Sequence, residues 1–320
     1  MGKGSGQLFS TGAISTPENP GELMAELVCP SRSVLGEGLV WCEDTNKALY
    51  IDIEGKKYWS YDPATKEHKS WDLPERPGCF ARTEKGPIIF AFETGLATFD
   101  VDTGAMNKFW EFEKDVPDTR MNDGRTDREG RFVVGGYNEK HRANNEESSG
   151  VYRMGVDGQV ERLLDFNVRV SNSTCFSPDG RTMYFCDSPK RELLAFDYPV
   201  DGKPCNQRQF YKMPEGDAGF CDGSTVDGAG GVWSAELGGS RICRHRPEDG
   251  KIDFVVKLPV PNPTTCAIGG PDMCTLFITT TRRRMDDEQL KANPEAGGLY
   301  AVELPAAYKG LPEPKSKFCP

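Results

Sequence analysis

The chain has 320 residues, of which 37% are hydrophobic, and carries 39 Lys and Arg against 49 Asp and Glu, a formal net charge of −10. It has enough apolar residues for a sizeable core, and its negative charge argues against nucleic-acid and anionic-membrane partners. Apolar runs such as residues 87–92 fall far short of the roughly 20 residues that span a bilayer. Because residues 1–20 lack the apolar centre of a signal peptide, we expect a cytoplasmic protein.

A short repeat organises the chain: an apolar strand, a turn rich in Asp, Gly or Pro, and a second apolar strand. Its six copies begin at Glu37, Gly78, Asn122, Asn172, Asp222 and Thr264. Most copies continue into a further strand, and from Gly78 onward they start about 40 to 50 residues apart, the length of a four-stranded propeller blade. The repeat therefore predicts an all-β fold, a six-bladed β-propeller. A pair of β-sandwiches is the alternative, but sandwiches do not repeat a phrase at this period.

The same repeat sets the expected domain boundaries. Residues 1–22 are predicted to be a flexible N-terminal arm, and residues 23–320 a single propeller domain. Residues 25–33 are expected to supply the strand that closes the ring with the last blade, because an open edge strand invites aggregation. Two polar stretches, 138–149 and 282–297, interrupt blades and are predicted to form loops or a short helix over one face.

Several common catalytic motifs are absent from the sequence. The eleven Cys form no CxxC pair and the three His have no HxxxH spacing, which disfavours a disulfide framework and a His-ligated zinc site. There is also no GxSxG elbow and no phosphate-binding glycine loop. Cys221 is interpreted as a buried, unreactive thiol, and the run Arg282–Arg284 as part of a solvated loop. Any chemistry must then depend on carboxylates, amides and a metal held by oxygen.

Oxygen-bearing side chains recur at one position of the repeat. The first strand of each propeller blade lines the central channel, so equivalent positions of different blades meet there. Glu37, Asn122, Asn172 and Asp222 would thus converge. Two carboxylates and two amides suit a hard divalent cation, and we predict one such ion in the channel. The alternative is that these residues only stabilise turns, but two neighbouring carboxylates are costly without a cation.

Four motifs together resemble a known family. They are Gly36-Glu-Gly-Leu-Val-Trp, Arg120-Met-Asn-Asp-Gly-Arg-Thr-Asp-Arg-Glu-Gly-Arg-Phe, Val170-Ser-Asn-Ser-Thr-Cys-Phe-Ser-Pro-Asp-Gly-Arg and Cys221-Asp-Gly. The combination resembles the senescence marker protein, regucalcin and gluconolactonase family of six-bladed lactonases, over about residues 31 to 303. The Thr265-Cys-Ala-Ile-Gly-Gly-Pro-Asp segment and the Ala296-Gly-Gly-Leu-Tyr ending look closer to the bacterial sugar lactonases.

The resemblance implies a role for each residue that matches. Glu37, Asn172 and Asp222 would be the metal ligands, and Asp222 would also act as general base. The repeat alone makes Asn122 a candidate metal ligand, whereas the family resemblance implies that it contacts the substrate. The substrate-binding residues expected on this basis are Arg120, Asn122, Asp123, Glu139 and Lys140, with Asp123 supporting its loop.

Two positions depart from the family pattern. Ser173 stands where Gly is usual, and Lys140 stands where an acidic substrate contact is often found. The second departure bears on which sugar is bound.

The predicted activity is hydrolysis of an aldonolactone to its aldonic acid, with no obligatory protein partner and a monomer as the default. The ion is expected to be Ca²⁺ or Zn²⁺, with Mg²⁺ and Mn²⁺ as alternatives. Two other functions stay open at this point: a phosphotriesterase-type hydrolase and a non-enzymatic calcium-binding propeller.

Overall fold

The computed structural model describes residues 20–84 and 86–318. Within those ranges the chain forms six mainly antiparallel sheets arranged in a ring. The strands of the first three blades and the two preceding strands are β1 (Gly21–Met24), β2 (Glu26–Cys29), β3 (Gly36–Cys42), β4 (Lys47–Asp52), β5 (Lys57–Tyr61), β6 (His68–Asp72), β7 (Pro77–Ala81), β8 (Ile88–Phe92), β9 (Gly95–Phe99), β10 (Met106–Glu111), β11 (Thr119–Thr126), β12 (Phe132–Asn138), β13 (Val151–Met154) and β14 (Val160–Arg162).

The remaining strands complete the ring. They are β15 (Ser171–Phe176), β16 (Thr182–Asp187), β17 (Glu192–Asp197), β18 (Cys205–Lys212), β19 (Phe220–Val226), β20 (Val232–Leu237), β21 (Arg241–His245), β22 (Ile252–Lys257), β23 (Pro263–Gly269), β24 (Thr275–Thr280) and β25 (Leu299–Glu303). In the described ranges two α-helices, α1 (His141–Asn144) and α2 (Asp287–Ala292), and the 3₁₀ turn Ser188–Lys190 lie between strands, and a second 3₁₀ turn, Ala306–Tyr308, follows β25. The predicted all-β six-bladed propeller is confirmed. No helix in the described ranges is long and apolar enough to cross a membrane.

Each blade begins at the axis and proceeds outward. Strands β3, β7, β11, β15, β19 and β23 are innermost, and each contacts the next, with β23 returning to β3. In the last blade the outermost strand is β2, where Glu26 pairs with Ala301 and Leu27 with Tyr300. This pairing confirms the predicted closure of the ring by residues 25–33. This blade is built from both ends of the chain, so its hydrogen bonds hold the N-terminal strand to the last blade and close the ring.

Regular structure at the N-terminal end begins before residue 23, the predicted start of the propeller domain. Strand β1 pairs parallel with β22, so Gly21 and Glu22, assigned to the flexible arm, belong to a sheet. The rest of the predicted arm, residues 1–19, lies outside the described residues.

A pairing irregularity recurs in every inner strand that the structure describes. Pairing with the second strand of the blade is interrupted for one or two residues near the start of the inner strand. Such β-bulges bend the strand and redirect a side chain. Asn122 and Asp222 lie within a bulge, and Glu37 and Asn172 lie immediately before one. The repeated bulge therefore explains how a strand buried on both faces also presents polar side chains to the channel.

Apolar side chains fill the spaces between neighbouring blades. Between the first two blades, Tyr58 contacts the edges of Phe80 and Phe90, with ring centroids 5.3 and 5.6 Å apart. Each buried aromatic or aliphatic side chain of this kind contributes about 1.5–3 kcal/mol through the hydrophobic effect. Because every blade packs on two neighbours, the channel walls are rigidly supported.

Two loops extend above the entrance to the channel. The loop after β12 contains α1, and the loop between β24 and β25 contains α2, which begins with a capping box between Asp286 and Gln289. These loops coincide with the two polar stretches, 138–149 and 282–297, and confirm the prediction of loops with short helices.

Buried aspartates hold the turns after two inner strands. Asp227 is fully buried; its carboxylate accepts hydrogen bonds from Trp233 Nε1 at 2.9 Å and Arg244 Nε at 2.6 Å, and from the Gly231 amide. Asp127 is also buried and accepts hydrogen bonds from Arg131 and Tyr198. In the turn after β15 the corresponding acid, Asp179, is exposed and bonds Ser177 and the Arg181 amide.

Asp227→Ala should lower the free energy of unfolding by about 3 kcal/mol or more, because it leaves the buried Trp233 N–H and half of the Arg244 guanidinium without an acceptor. Asp179→Ala is the matched control and should cost less than about 1 kcal/mol. Denaturant unfolding of both variants measures the difference. Equal costs would show that the buried network is not a source of stability.

Candidate active site

One end of the channel opens into a cavity of about 480 Å³. Its floor is built from the inner strands and its entrance from the two loops that contain α1 and α2. The residues that line it are Leu35, Glu37, Arg120, Asn122, Tyr137, His141, Arg142, Asn145, Val170, Asn172, Ser188, Pro189, Phe220, Asp222, Leu237, Arg283 and Arg284. The four oxygen-bearing residues that the repeat predicted to converge all lie in this one cavity.

Two carboxylates at the floor lack a cationic partner. Glu37 and Asp222 are 8% and 5% exposed, and neither forms an ion pair within 4 Å among the described residues. Each receives a hydrogen bond from the backbone of the residue that follows it, Gly38 or Gly223. Burial raises the pKa of both groups well above the ordinary carboxyl range; the charge of Asp123 raises both further, and that of Asp222 raises the pKa of Glu37. The protein alone therefore favours protons on these oxygens.

The amide side chains at the floor are held in fixed orientations. Asn172 Nδ2 donates to Ser188 Oγ at 2.8 Å, and that hydroxyl donates to the Cys221 carbonyl at 2.7 Å. Because the Asn172 amino group is engaged, its Oδ1 is left at the cavity, where it accepts one long bond of 3.3 Å from Asn122. Ser188 follows the end of β16 and was not identified from the sequence. Its Asp-Ser-Pro context at a strand end is the signal that could have indicated it.

The donor set fits a hard divalent cation. Glu37 and Asp222 supply carboxylate oxygens and Asn172 an oriented amide oxygen, which are ligands that Ca²⁺ and similar ions accept. No group of three or more His, Cys, Asp or Glu within 20–84 and 86–318 is arranged for a metal, so the amide is needed. Asn122 Oδ1 already accepts a hydrogen bond from Arg120 Nη1 at 2.9 Å, which leaves it less available as a ligand.

Arg120 is a buried polar group of the cavity that several neighbours hold in place. It is 2% exposed, its Nη1 donates to the Met121 carbonyl at 2.8 Å, and its guanidinium lies over the Tyr137 ring, 4.6 Å from the centroid. Glu139 Oε1 lies 3.6 Å from its Nε. Burial, together with the neighbouring charge of Arg283, lowers the pKa of Arg120 to about 10, so it stays charged at neutral pH.

Three predicted substrate contacts lie elsewhere. Glu139 is absent from the cavity lining, because both its oxygens bond Arg76 at 2.8 and 3.0 Å. Lys140 is exposed, points away to Asp118 at 3.9 Å, and does not line the cavity either. Asp123 is also outside the lining and accepts the Thr174 amide at 2.8 Å, which joins β11 to β15. Glu139 and Lys140 do not line the cavity, and their role as substrate contacts stays a prediction. Asp123 forms a contact of the supporting kind that the sequence predicted.

The arginine run 282–284, interpreted as a solvated loop, contributes to the site instead. Arg283 and Arg284 line the entrance opposite Arg142. Arg284 Nη2 donates to Tyr137 Oη at 3.2 Å. The sequence alone does not reveal this, because only the folded ring brings the last blade's loop to Tyr137 of the third blade.

Comparison with known proteins shows the family of this chain. Residues 35–282 match the family model described as the SMP-30/gluconolactonase/LRE-like region. The chain belongs to that family. It is 37% identical over 282 residues to the L-arabinolactonase of Azospirillum brasilense, covering 87% of this chain and 91% of that protein. It is 32% identical to the regucalcin of Xenopus laevis, covering 87% and 93%.

A solved structure agrees with the fold of this family member. The calcium-binding protein regucalcin from Agrobacterium tumefaciens superposes with a TM-score of 0.84 and 26% identity, covering 92% of this chain and 98% of that chain. The family resemblance stated from the four motifs is therefore confirmed.

The raised pKa of Asp222 predicts a pH-dependent effect of its removal. A carboxyl whose folded pKa is raised stabilises the fold below its ordinary pKa of about 4 and loses that contribution as pH rises through the folded value. In chelator-treated protein, Asp222→Asn should therefore increase the free energy of unfolding at pH 7, with a smaller gain at pH 4. Denaturant titration at the two pH values measures this. A loss of stability at pH 7 would contradict the prediction.

Divalent cations should stabilise the native protein through the same residues. At one hundred times its Kd, a ligand of the folded state adds about 2.7 kcal/mol. Thermal unfolding with Ca²⁺ or Zn²⁺ should show this shift in the wild type and lose it in Asp222→Asn. Asp187→Asn is the control, since Asp187 is buried but bonds only the Arg169 and Val170 amides and the Lys190 side chain. Equal shifts in all three proteins would exclude the site.

Proposed function

We propose that this protein hydrolyses a sugar lactone to its aldonic acid, with Glu37, Asn172 and Asp222 holding one divalent metal ion and Asp222 acting as general base. The observation that carries the proposal is the pair of buried carboxylates without a cationic partner, at the floor of an open cavity. Membership of a family with relatives named as lactonases makes the chain an enzyme of the lactonase class. The L-arabinolactonase relative supports an aldonolactone as the substrate class.

The residues of the floor suit the metal and its chemistry. When bound, a divalent cation supplies polarisation of the lactone carbonyl and lowers the pKa of water. The three ligands carry two negative charges together when ionised, which matches the charge of a divalent ion. Ca²⁺ and Zn²⁺ are the ions we favour, and the calcium-binding regucalcin structure supports Ca²⁺.

Asp222 is suited to receive a proton on one of its carboxylate oxygens. Its carboxylate faces the cavity with no competing Lys or Arg within 4 Å among the described residues. Burial and Asp123 raise its pKa, which makes it a stronger base once ionised. One carboxylate oxygen takes the proton of the attacking water as the new C–O bond forms. The ring C–O bond then breaks, and the proton passes to the departing alkoxide.

Arg120 and Asn122 would position the sugar ring. Both side chains are buried and bonded to each other at 2.9 Å, so they lose little freedom when a substrate binds. Glu139 holds Arg120 from behind and itself forms a two-pronged pair with Arg76. Orientation of this kind lowers the barrier by fixing the reacting groups before reaction.

The calcium-binding propeller is the second candidate, favoured by the name of the Agrobacterium structure. A purely structural ion is enclosed by protein ligands, whereas the proposed ligands here lie on the wall of an open cavity. This openness favours catalysis.

The test is proton release when glucono-, arabinono-, xylono- or galactono-lactone is added to chelator-treated protein, with each divalent metal restored in turn. We expect metal-dependent hydrolysis above the spontaneous rate, and a loss of at least about 100-fold in kcat for Asp222→Asn, because general-base catalysis contributes about 10² to 10⁴. Asp187→Asn should keep the activity.

Two outcomes would contradict the proposal. Tight metal binding with no hydrolysis of any lactone would favour the calcium-binding propeller. Hydrolysis of a phosphotriester such as paraoxon, with no lactone opened, would favour the phosphotriesterase instead.

A further inference from the structure

The entrance of the cavity is positively charged although the protein carries a net charge of −10. Arg142, Arg283 and Arg284 line it, and Arg120 lies deeper. Arg142 comes from the loop with α1, and the other two entrance arginines come from the loop before α2. Three guanidinium groups from loops 140 residues apart in the sequence are thus gathered at one opening of an acidic protein.

Two of these arginines have no acidic partner. Arg283 Nη2 pairs with Glu54 Oε1 at 3.2 Å, and Arg120 pairs with Glu139. Arg142 and Arg284 form no ion pair within 4 Å in the part of the chain that the structure describes. Most of the other arginines do form one, so these two represent positive charge that the protein itself leaves uncompensated.

The arginines also repel one another. Burial, followed by the charge of Arg284, lowers the pKa of Arg142. Burial and the charges of Arg142 and Arg284 lower the pKa of His141, which lies at the same opening. An anion placed between such positively charged groups lowers the free energy of the cluster, because it relieves their mutual repulsion.

The loop holds Arg284 in place before any ligand arrives. Arg284 has φ +65°, a left-handed conformation that costs a non-glycine residue on the order of 1 kcal/mol. The preceding amides of Arg282 and Arg283 both donate to the Val34 carbonyl, at 3.1 and 2.9 Å. The side chain itself donates to Tyr137 Oη. The backbone before Arg284 and its side chain are both held by hydrogen bonds, so the guanidinium is preorganised to receive a ligand.

We propose that the natural substrate is an anionic lactone, which bears a carboxylate, phosphate or sulfonate group at the end of the sugar remote from the lactone carbonyl and is held there by Arg142 and Arg284. This inference rests on the proposed lactonase function and specifies its substrate class. The anionic group is assigned to the entrance and not to the floor, because the reacting carbonyl must lie at the floor beside Asp222. The cavity thus has a polarity that orients the substrate, with the carbonyl toward the carboxylates and the anion toward the arginines.

Paired lactones that differ in charge test the proposal. One pair is glucono-1,5-lactone with its 6-phosphate, and the other is glucono-1,4-lactone with glucaro-1,4-lactone, which carries a terminal carboxylate. In the wild type kcat/KM should favour the anionic member of at least one pair, and the preferred pair identifies the anion. In Arg142→Gln/Arg284→Gln the ratio of anionic to neutral kcat/KM should fall about tenfold or more, with a weaker salt dependence. Arg181→Gln, an exposed arginine outside the cavity lining, should leave the ratio unchanged.

A binding measurement separates this inference from the proposed function. Calorimetry compares 6-phosphogluconate with gluconate on the wild type and the double variant, and needs no turnover. If neutral lactones are opened but the double variant leaves every ratio unchanged, the anionic substrate is wrong and the lactonase stands. If no lactone is opened, the proposed lactonase function is wrong. A preference for 6-phosphogluconate that the double variant loses would still support the anion site. Equal binding of 6-phosphogluconate and gluconate to the wild type would overturn the anion site.

Discussion

The site depends on two carboxylates that are buried together with no cationic side chain beside them. Glu37 and Asp222 come from the first and fifth blades, and the protein places no Lys or Arg within 4 Å of either among the residues described. Leaving such a pair ionised is costly in a low-dielectric environment. A divalent cation offsets that cost, and a substrate carbonyl can then approach the same point. The ring of blades is what makes the arrangement durable, because neither strand can move away without disturbing its neighbours.

The second layer around the floor explains why the arrangement is specific. Asn172 is fixed through Ser188 to the Cys221 carbonyl, which belongs to the residue before Asp222. Asp123 receives the Thr174 amide from the next blade. The third, fourth and fifth blades are therefore linked around Asn172 and Asp222 through hydrogen bonds that cross blade boundaries, and shifting one of these strands alters the orientation of the others. Supporting contacts of this kind hold ligand atoms in position before the metal binds.

The fold was predictable because the repeat is local. Each blade needs only short apolar strands and turns of Asp, Gly or Pro, and the period of about 40 to 50 residues leaves few alternatives. The convergence of Glu37, Asn122, Asn172 and Asp222 followed from the same repeat, since one position in each copy faces the axis. The contacts between blades did not follow. Ser188, which supports Asn172, donates to the Cys221 carbonyl of the next blade, and Glu139 bonds Arg76, which is supplied by another blade. The local sequence does not indicate which residue of another blade each of them will meet.

The arginines of residues 282–284 are a second case in which the local sequence did not predict a contact between distant parts of the chain. A run of three arginines in a polar loop is normally solvated, and Arg284 is in fact exposed. Its role depends on the fold, which brings the last blade's loop and the loop that carries Arg142 to one cavity entrance. The inner strands and the entrance loops thus have separate tasks. The strands hold the carboxylates and amides of the chemistry, and their bulges tolerate little change because several blades pack against them. The loops lie outside that packing, so in our proposal the charge at the entrance selects the lactone without any change to the floor.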